Sequence, residues 1–148
     1  MVTVKKVDKE RLEYLVRISY KDDIEGFNKY HLEKYSYEEA VQKTLGMAEG
    51  MAEQTELNYF EVLFNETPIG YFITFTECLY SFAIAKHYRV KYSVLNEWWE
   101  LVKSTLASVF VCIIYRNNTR AISFLQRMGM VETESDFEDS NIITLVNI

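Results

Sequence analysis

Apolar residues along the chain follow two periods, and the change from one to the other predicts an α/β domain. Short apolar runs rich in β-branched and aromatic residues predict strands over residues 2–7, 59–64, 69–75, 79–85, 109–115, 130–134 and 141–146. Apolar residues spaced three and four apart predict helices over about 8–19, 36–53, 94–106 and 119–128. The predicted order is β-α-α-β-β-β-α-β-α-β-β, a mixed central sheet with helices on both faces.

Local signals support these boundaries. Asp8 is a plausible N-cap for the first helix, and Ser36 begins a capping box that Glu39 completes three residues later. Asn65 and Pro68 supply turn chemistry between two strands, which predicts a hairpin. Residues 20–35 are polar and aromatic without a clean period, so they are predicted to be a loop or an irregular helix.

Composition narrows the class of protein. The 148 residues are most simply one domain, 1–148, and 49% of them are apolar, which excludes a disordered chain. A net charge of −6 argues against a nucleic-acid binder that works by neutralising phosphates. The apolar stretch 68–85 contains Glu77 and many β-branched residues, so two strands explain it better than a membrane span. Trp98 and Trp99 are neighbours on one helix, and we expect that they do not both face the core fully.

The cysteines and histidines do not have the spacing of a metal site. Cys78 and Cys112 lie in apolar strand-like runs, which predicts buried thiols and neither a disulfide nor a metal centre. His31 and His87 share no metal-ligand spacing. An intracellular, reducing location such as the cytoplasm fits this use of cysteine.

The most informative segment runs from residue 115 to 130, YRNNTRAISFLQRMGM. A strand leads into a turn with Asn118, a helix with Ala121 and Leu125 follows, and Gly129 ends it where a left-handed cap is expected. This segment resembles a motif of the GCN5-related N-acetyltransferases (the GNAT family), and the order of elements is similar to that family along the whole chain. The resemblance implies that strands 79–85 and 109–115 are parallel neighbours that splay apart at their C-terminal ends.

The resemblance also implies a site for acetyl-CoA as co-substrate. In the family, the pantetheine arm pairs with the strand that here holds Ala83 and Ile84, and the pyrophosphate rests on amides at the start of the next helix. The cofactor-binding residues carried over in this way are Ala83, Ile84, Lys86, Arg89, Lys91, Tyr92, Ser93, Val94 and Asn118.

This sequence departs from the family at three positions. Tyr92 and Val94 stand where the family has small residues, and Leu125 stands where a tyrosine often protonates the leaving thiolate. Two interpretations of the turn at 86–91 stay open: its three cations bind the phosphates through their side chains, or the turn is simply solvated. Asn118 is either a pantetheine contact or only the cap of its helix.

The acceptor side gives weaker signals. Glu77 lies near the family's glutamate position, which implies a general base; the alternative is an exposed turn residue. The acids between residues 132 and 139 form a solvated loop or attract a cationic amine.

The sequence leaves the function open between an enzyme and a binding protein. The first hypothesis is an acetyltransferase that acts on a small-molecule or peptide amine. The alternative is an inactive GNAT-fold structural protein with a protein partner, which would resemble short GNAT-like proteins of tailed phages and lie in the host cytoplasm or the virion. An unrelated α/β binding domain is the third hypothesis. Neither nucleic acid nor a membrane is an expected partner, and the oligomeric state is open.

Overall fold

The computed structural model describes residues 1–29, 31, 33–134 and 141–147. Seven strands form one sheet in the order β1-β2-β3-β4-β5-β7-β6. They are β1 (Val2–Val7), β2 (Asn58–Phe64), β3 (Thr67–Phe75), β4 (Cys78–Ile84), β5 (Val111–Tyr115), β6 (Met130–Thr133) and β7 (Ile142–Asn147). Within the described residues every neighbouring pair is antiparallel except β4 and β5, which are parallel.

Helices cover both faces of this sheet, which confirms the predicted fold class. They are α1 (Leu12–Tyr20), α2 (Ile24–Asn28), α3 (Tyr37–Ala52), α4 (Lys86–Arg89), α5 (Tyr92–Thr105) and α6 (Thr119–Arg127), with a 3-10 turn at Lys9–Arg11 before α1. The short helices α2 and α4 are additions to the predicted order, because helices of five and four residues are too short to leave a period in the sequence. None of the helices in the described ranges is long and apolar enough to cross a membrane.

The predicted start and stop signals are mostly confirmed. Ser36 and Glu39 form the reciprocal capping box of α3, and Gly129 has φ 101° directly after α6. Asp8, in contrast, makes no side-chain cap. The β2–β3 turn consists of Asn65 and Glu66, both with positive φ, while Pro68 lies inside β3 opposite Leu63 at a bulge. The prediction that Pro68 belongs to the turn is therefore wrong.

Two clusters of buried side chains cover the opposite faces of the sheet. The first cluster joins α5 and α6 to the sheet, and the second joins α1 and α3 to it. Alternate residues of β3 divide between them, with Phe72 in the first cluster and Tyr71 and Ile73 in the second. Trp98 and Trp99 are both buried, so the expectation that one of them faces away from the core is wrong.

A β-bulge separates β4 from β5. Ile73 of β3 pairs with Ser81, but the next residue, Thr74, pairs with Leu79, so Tyr80 is an extra residue in β4. Only Cys78 and Leu79, just before the bulge, pair with β5. Beyond the bulge the two parallel strands diverge, which confirms the predicted splay and opens the sheet at their C-terminal ends.

Candidate functional site

A cavity of about 250 Å³ lies on the α1–α3 face where β4 and β5 diverge. The open strands supply one wall, with Ser81 and Phe82 from β4 and Ile113 from β5, and α3 supplies another. The cavity is therefore continuous with the gap that the bulge creates in the sheet.

Four hydroxyl groups along this wall hydrogen-bond to one another. The Tyr20 hydroxyl lies 2.7 Å from Thr44 Oγ1 and 3.5 Å from the Tyr71 hydroxyl, which in turn lies 3.2 Å from Ser81 Oγ. Burial raises the pKa of Tyr71, so its phenol stays protonated at neutral pH. The network brings neutral donors to the open part of β4.

His31 lines the same cavity and is held in one orientation. Its ring stacks on Phe27 at 4.1 Å between centroids and lies 5.1 Å from the ring of Tyr115. Nδ1 is 3.0 Å from the Phe27 carbonyl oxygen, which can only accept, so Nδ1 carries the proton and the neutral ring keeps its lone pair on Nε2. Burial lowers the pKa of His31; the Phe27 hydrogen bond opposes this shift, and the Lys43 charge adds to it. The imidazole is consequently a neutral base at physiological pH.

The cations predicted in the turn before α5 have different surroundings. Arg89 forms an ion pair with Asp23 at 2.5 Å, which ties α4 to the segment between α1 and α2. The Lys91 ammonium lies over the rings of Phe64 and Tyr88 at 5.8 and 5.9 Å, and Lys86 is exposed on α4. Their role as phosphate ligands stays a prediction.

The start of α5 gives the two departures from the family pattern a physical explanation. Val94 is 1% exposed and belongs to the α5–α6 cluster, so its side chain faces the core. Tyr92 is 58% exposed, and its hydroxyl accepts a hydrogen bond from Arg127 of α6. Ser93 is exposed in the first turn, where the amides of a helix lack intrahelical acceptors. The side chain of Val94 thus points into the core and that of Tyr92 lies against Arg127. Neither side chain therefore needs to occupy the space in front of the first-turn amides.

The remaining carried-over residues lie along the splay. Ala83 and Ile84 follow the bulge and pair with Tyr71 and Gly70 of β3 on one side, while no pairing with β5 is present on the other. Asn118 caps α6 through Ala121 N at 3.4 Å and also lines the cavity, so both interpretations of it remain compatible. Leu125 is fully buried in the core.

Glu77 is not brought to the cavity. It is exposed in the β3–β4 turn, at the closed end where β4 and β5 still pair, and its carbonyl accepts from Val111 N at 2.8 Å. Its role as the general base stays a prediction. Most of the acidic stretch at 132–139 lies outside the described residues. Among the residues that the structure does describe, the His, Cys, Asp and Glu side chains form no group of three or more that could hold a metal ion. Cys78 and Cys112 are free and buried, as predicted.

Sequence reasoning missed two kinds of site residue. His31 follows α2 and Lys43 lies on α3, where neither belongs to a recognisable site motif, and only the fold brings them to one cavity with residues of β5. Arg127 could have been noticed as a basic residue two positions before Gly129, but its contact with Tyr92 joins two different helices.

Comparison of the sequence with protein-family models and with curated proteins finds no match. The fold, however, is similar to solved acetyltransferases. One from Thermus thermophilus superposes with a TM-score of 0.71 at 14% identity, covering 99% of this chain and 96% of that one. The PaiA N-acetyltransferase from Thermoplasma acidophilum, solved with coenzyme A, has a TM-score of 0.60 at 16% identity over 99% and 98% of the two chains.

A third similar structure contains a second small molecule besides coenzyme A. The aminoglycoside acetyltransferase AAC(6')-Ib, solved with coenzyme A and kanamycin, has a TM-score of 0.66 at 12% identity over 99% of this chain and 94% of that one. At such low identities these similarities show the fold alone. The chain has the GNAT acyl-CoA N-acyltransferase fold.

Proposed function

We propose that this protein transfers an acetyl group from acetyl-CoA to a primary amine. The observation that carries the proposal is the bulge at Tyr80, which opens β4 and β5 directly onto a cavity with a neutral base. A cavity continuous with the splay gives the acyl donor and the amine one meeting place.

The residues present fit an acyl-CoA. The backbone N–H and carbonyl of Ile84 point away from β3 and have no ladder partner in β5. The carbonyl accepts from Arg89 Nη1 at 3.4 Å, and an extended amide-containing arm would supply a partner for the N–H. At the start of α5, the amides of Tyr92 and Ser93 and the helix dipole favour a phosphate, and α5 has no acidic residue in its first turn. Val94 supports this helix start from the core.

Charged side chains near this helix start would strengthen phosphate binding. Lys86, Lys91 and Arg127 are cations on α4, at the cap of α5 and on α6, in a chain whose net charge is −6. Arg89 is less suited to the role because Asp23 already neutralises it. We assign Arg89 to fixing the turn and the other three to the phosphates.

We propose His31 as the general base. A bound acetyl-CoA supplies a thioester carbonyl that a neutral amine can attack, releasing the thiol of CoA. Nε2 of His31 accepts the proton that the acceptor's ammonium must lose before it attacks. Glu77 is the earlier candidate, but its position in the exposed turn would require solvent to carry the proton to the cavity.

A second proton must reach the leaving thiolate. The nitrogen loses this proton as the amide forms, so the reaction releases one net proton, the one that His31 took. Leu125 cannot supply a proton, whereas the Ser81 hydroxyl lies on the open part of β4 and is linked to Tyr71. We propose that the Ser81–Tyr71 pair relays it: the Ser81 hydroxyl gives its proton to the thiolate while the pair takes the proton that the nitrogen loses, so both hydroxyls end the step protonated.

Calorimetry with CoA and acetyl-CoA tests the proposal. We expect saturable binding that weakens with salt, because part of the affinity comes from phosphate contacts. Lys91→Met at the start of α5 should weaken it about three- to thirtyfold, and Lys103→Met near the other end of the same helix should not. A wild-type protein that binds neither ligand would favour the inactive structural protein instead.

Turnover separates the two candidate bases. His31→Gln should lower kcat/KM by about 10²–10⁴-fold, while Glu77→Gln should leave it within about twofold, since exposed substitutions away from a site have small effects. The reverse result would assign the base to Glu77 and reject His31. A matching loss of CoA affinity in His31→Gln would mean a misfolded site, so calorimetry accompanies each variant.

A further inference from the structure

The cavity at the splay is mainly apolar and aromatic. Phe27, Met47, Met51, Tyr80 and Tyr115 contribute to its lining. The four linked hydroxyls of its wall satisfy one another, so they are not strong sites for an additional charge. The body of the acceptor should therefore be aromatic or a large thioether or aliphatic group.

The charges in the cavity argue against a polycationic acceptor. Among the described lining residues there is no aspartate or glutamate, and Lys43 is the one lysine or arginine. A polyamine or an aminoglycoside would place two or more ammonium groups beside this lysine without a carboxylate to offset them. Such an acceptor is disfavoured whatever its shape.

The ammonium group of Lys43 is a favourable site for an anionic group of the ligand. Its Nζ lies 5.4 Å from the centroid of the Tyr35 ring, and none of the carboxylates in the described ranges comes within ion-pair distance of it. Its positive charge nevertheless helps to lower the pKa of His31, which lines the same cavity. A half-buried ammonium on an apolar wall is stabilised by a carboxylate that enters with the ligand.

The size of the cavity limits the ligand further. Pockets for drug-sized ligands span roughly 300–1,000 Å³, and this cavity, at about 250 Å³, lies below that range. Part of that volume adjoins the gap between β4 and β5, so the acceptor must be small. We propose that the acceptor is a free amino acid with an aromatic or methionine-like side chain, held by Lys43 at its carboxylate and by His31 at its amine. The proposal rests on the acetyl-transfer function above and names its substrate class.

Three probes test this proposal: L-phenylalanine, phenethylamine, which lacks the carboxylate, and spermidine, a polycation. Transfer from acetyl-CoA is followed by thiol release and by mass spectrometry of the product. We expect kcat/KM for phenylalanine to exceed that for phenethylamine by about tenfold or more, the scale of one charged hydrogen bond. Spermidine should be the poorest acceptor.

Variants at Lys43 locate the effect. Lys43→Met should lower kcat/KM for phenylalanine about tenfold while changing that for phenethylamine less than about twofold, and Lys43→Arg should retain most of the preference. Lys6→Met, at an exposed lysine on β1, is the matched control and should change neither. Equal losses for both amines in Lys43→Met, or a preference for spermidine, would overturn the proposal.

Direct binding keeps this proposal distinct from the proposed function. Calorimetry measures L-phenylalanine, phenethylamine and CoA separately on the wild type and on Lys43→Met. If CoA binds but phenylalanine is no better than phenethylamine, the acceptor class is wrong and acetyl transfer stands. If phenylalanine binds through Lys43 but CoA does not, acetyl transfer fails and the amino-acid site stands. If neither binds, both proposals are rejected.

Discussion

Replacing Gly70 by alanine should distort the strand that borders the splay. Gly70 of β3 pairs with Ile84 of β4, and a Cβ built on it would lie 2.2 Å from the Ala83 carbonyl oxygen and 3.0 Å from Ile84 Cα. Ordinary van der Waals contact begins at 3.4 Å, and the nearest atom belongs to the backbone. β4 must therefore move by about 1 Å before the methyl group fits.

The expected magnitude follows from the cost of overpacking. Inserting a methyl group into a packed interior that can relax only by moving backbone costs about 1–3 kcal/mol. The reduced flexibility of the unfolded chain returns part of this, about 0.4–1 kcal/mol. A net loss of about 1–2 kcal/mol corresponds to a fall in Tm of roughly 2–8 °C for a chain of this size.

Thermal and urea unfolding, followed by far-ultraviolet circular dichroism, measure the effect. Gly46→Ala and Gly50→Ala in α3 are matched controls, because a Cβ at either position meets no atom within 4 Å. Each should raise the unfolding free energy by about 0.5–1 kcal/mol. A Gly70→Ala protein as stable as the wild type, with both controls stabilised, would refute the close approach of β3 to β4.

Three further predictions concern charged groups. Arg11→Met removes the 2.7 Å partner of Glu61, whose side chain is 7% exposed, and should lower the unfolding free energy in urea by about 1–3 kcal/mol. This is less than the loss for a fully buried pair because the Arg11 side chain is 40% exposed, and an unchanged value would mean that water replaces the guanidinium. Arg17 holds the pKa of Glu38 at about 2, below its ordinary 4.5, so this contribution to stability is present above pH 4.5 and lost as pH falls toward 2. In Arg17→Met the midpoint of urea unfolding should depend less on pH across that range, and an unchanged pH dependence would contradict the pairing. The log of kcat/KM should rise with pH through a pKa below 6.5 and then level off, because His31 must be neutral to act as base. If the same rise with pH is seen in His31→Gln, the titrating group is not His31.

The sequence predicted the fold well because the elements that define it carry local signals. The capping box at Ser36 and the left-handed Gly129 are written into three or four consecutive residues, and tertiary packing did not override them. Pro68 misled because β3 accepts it at a bulge, where no ladder amide is needed. Trp98 and Trp99 misled because α5 is enclosed on two sides, by Phe72 and Phe82 of the sheet and by Phe110 and Phe124.

The candidate site was less predictable because it depends on distant segments. The bulge at Tyr80 is a mismatch between two strands and has no signature in either strand alone. Arg89 was expected to be a free cation, but Asp23, from a segment without a period, lies against it. His31 reaches the cavity through the packing of an irregular stretch, which hydrophobic periodicity does not describe.

The bulge also determines which contacts resist separation of the two halves of the sheet, β1–β4 and β5–β7. Two residue pairs, Cys78–Val111 and Leu79–Cys112, join the four-stranded part of the sheet to the three-stranded part, so few backbone hydrogen bonds oppose a change in the width of the gap. The two parts are held instead by adjacent indoles: Trp98 packs on Phe82 at 5.5 Å, and Trp99 packs on Phe110 at 5.7 Å. Widening the gap would therefore disturb these tilted ring contacts before it broke a strand ladder, and the emission of the two tryptophans would report that movement directly.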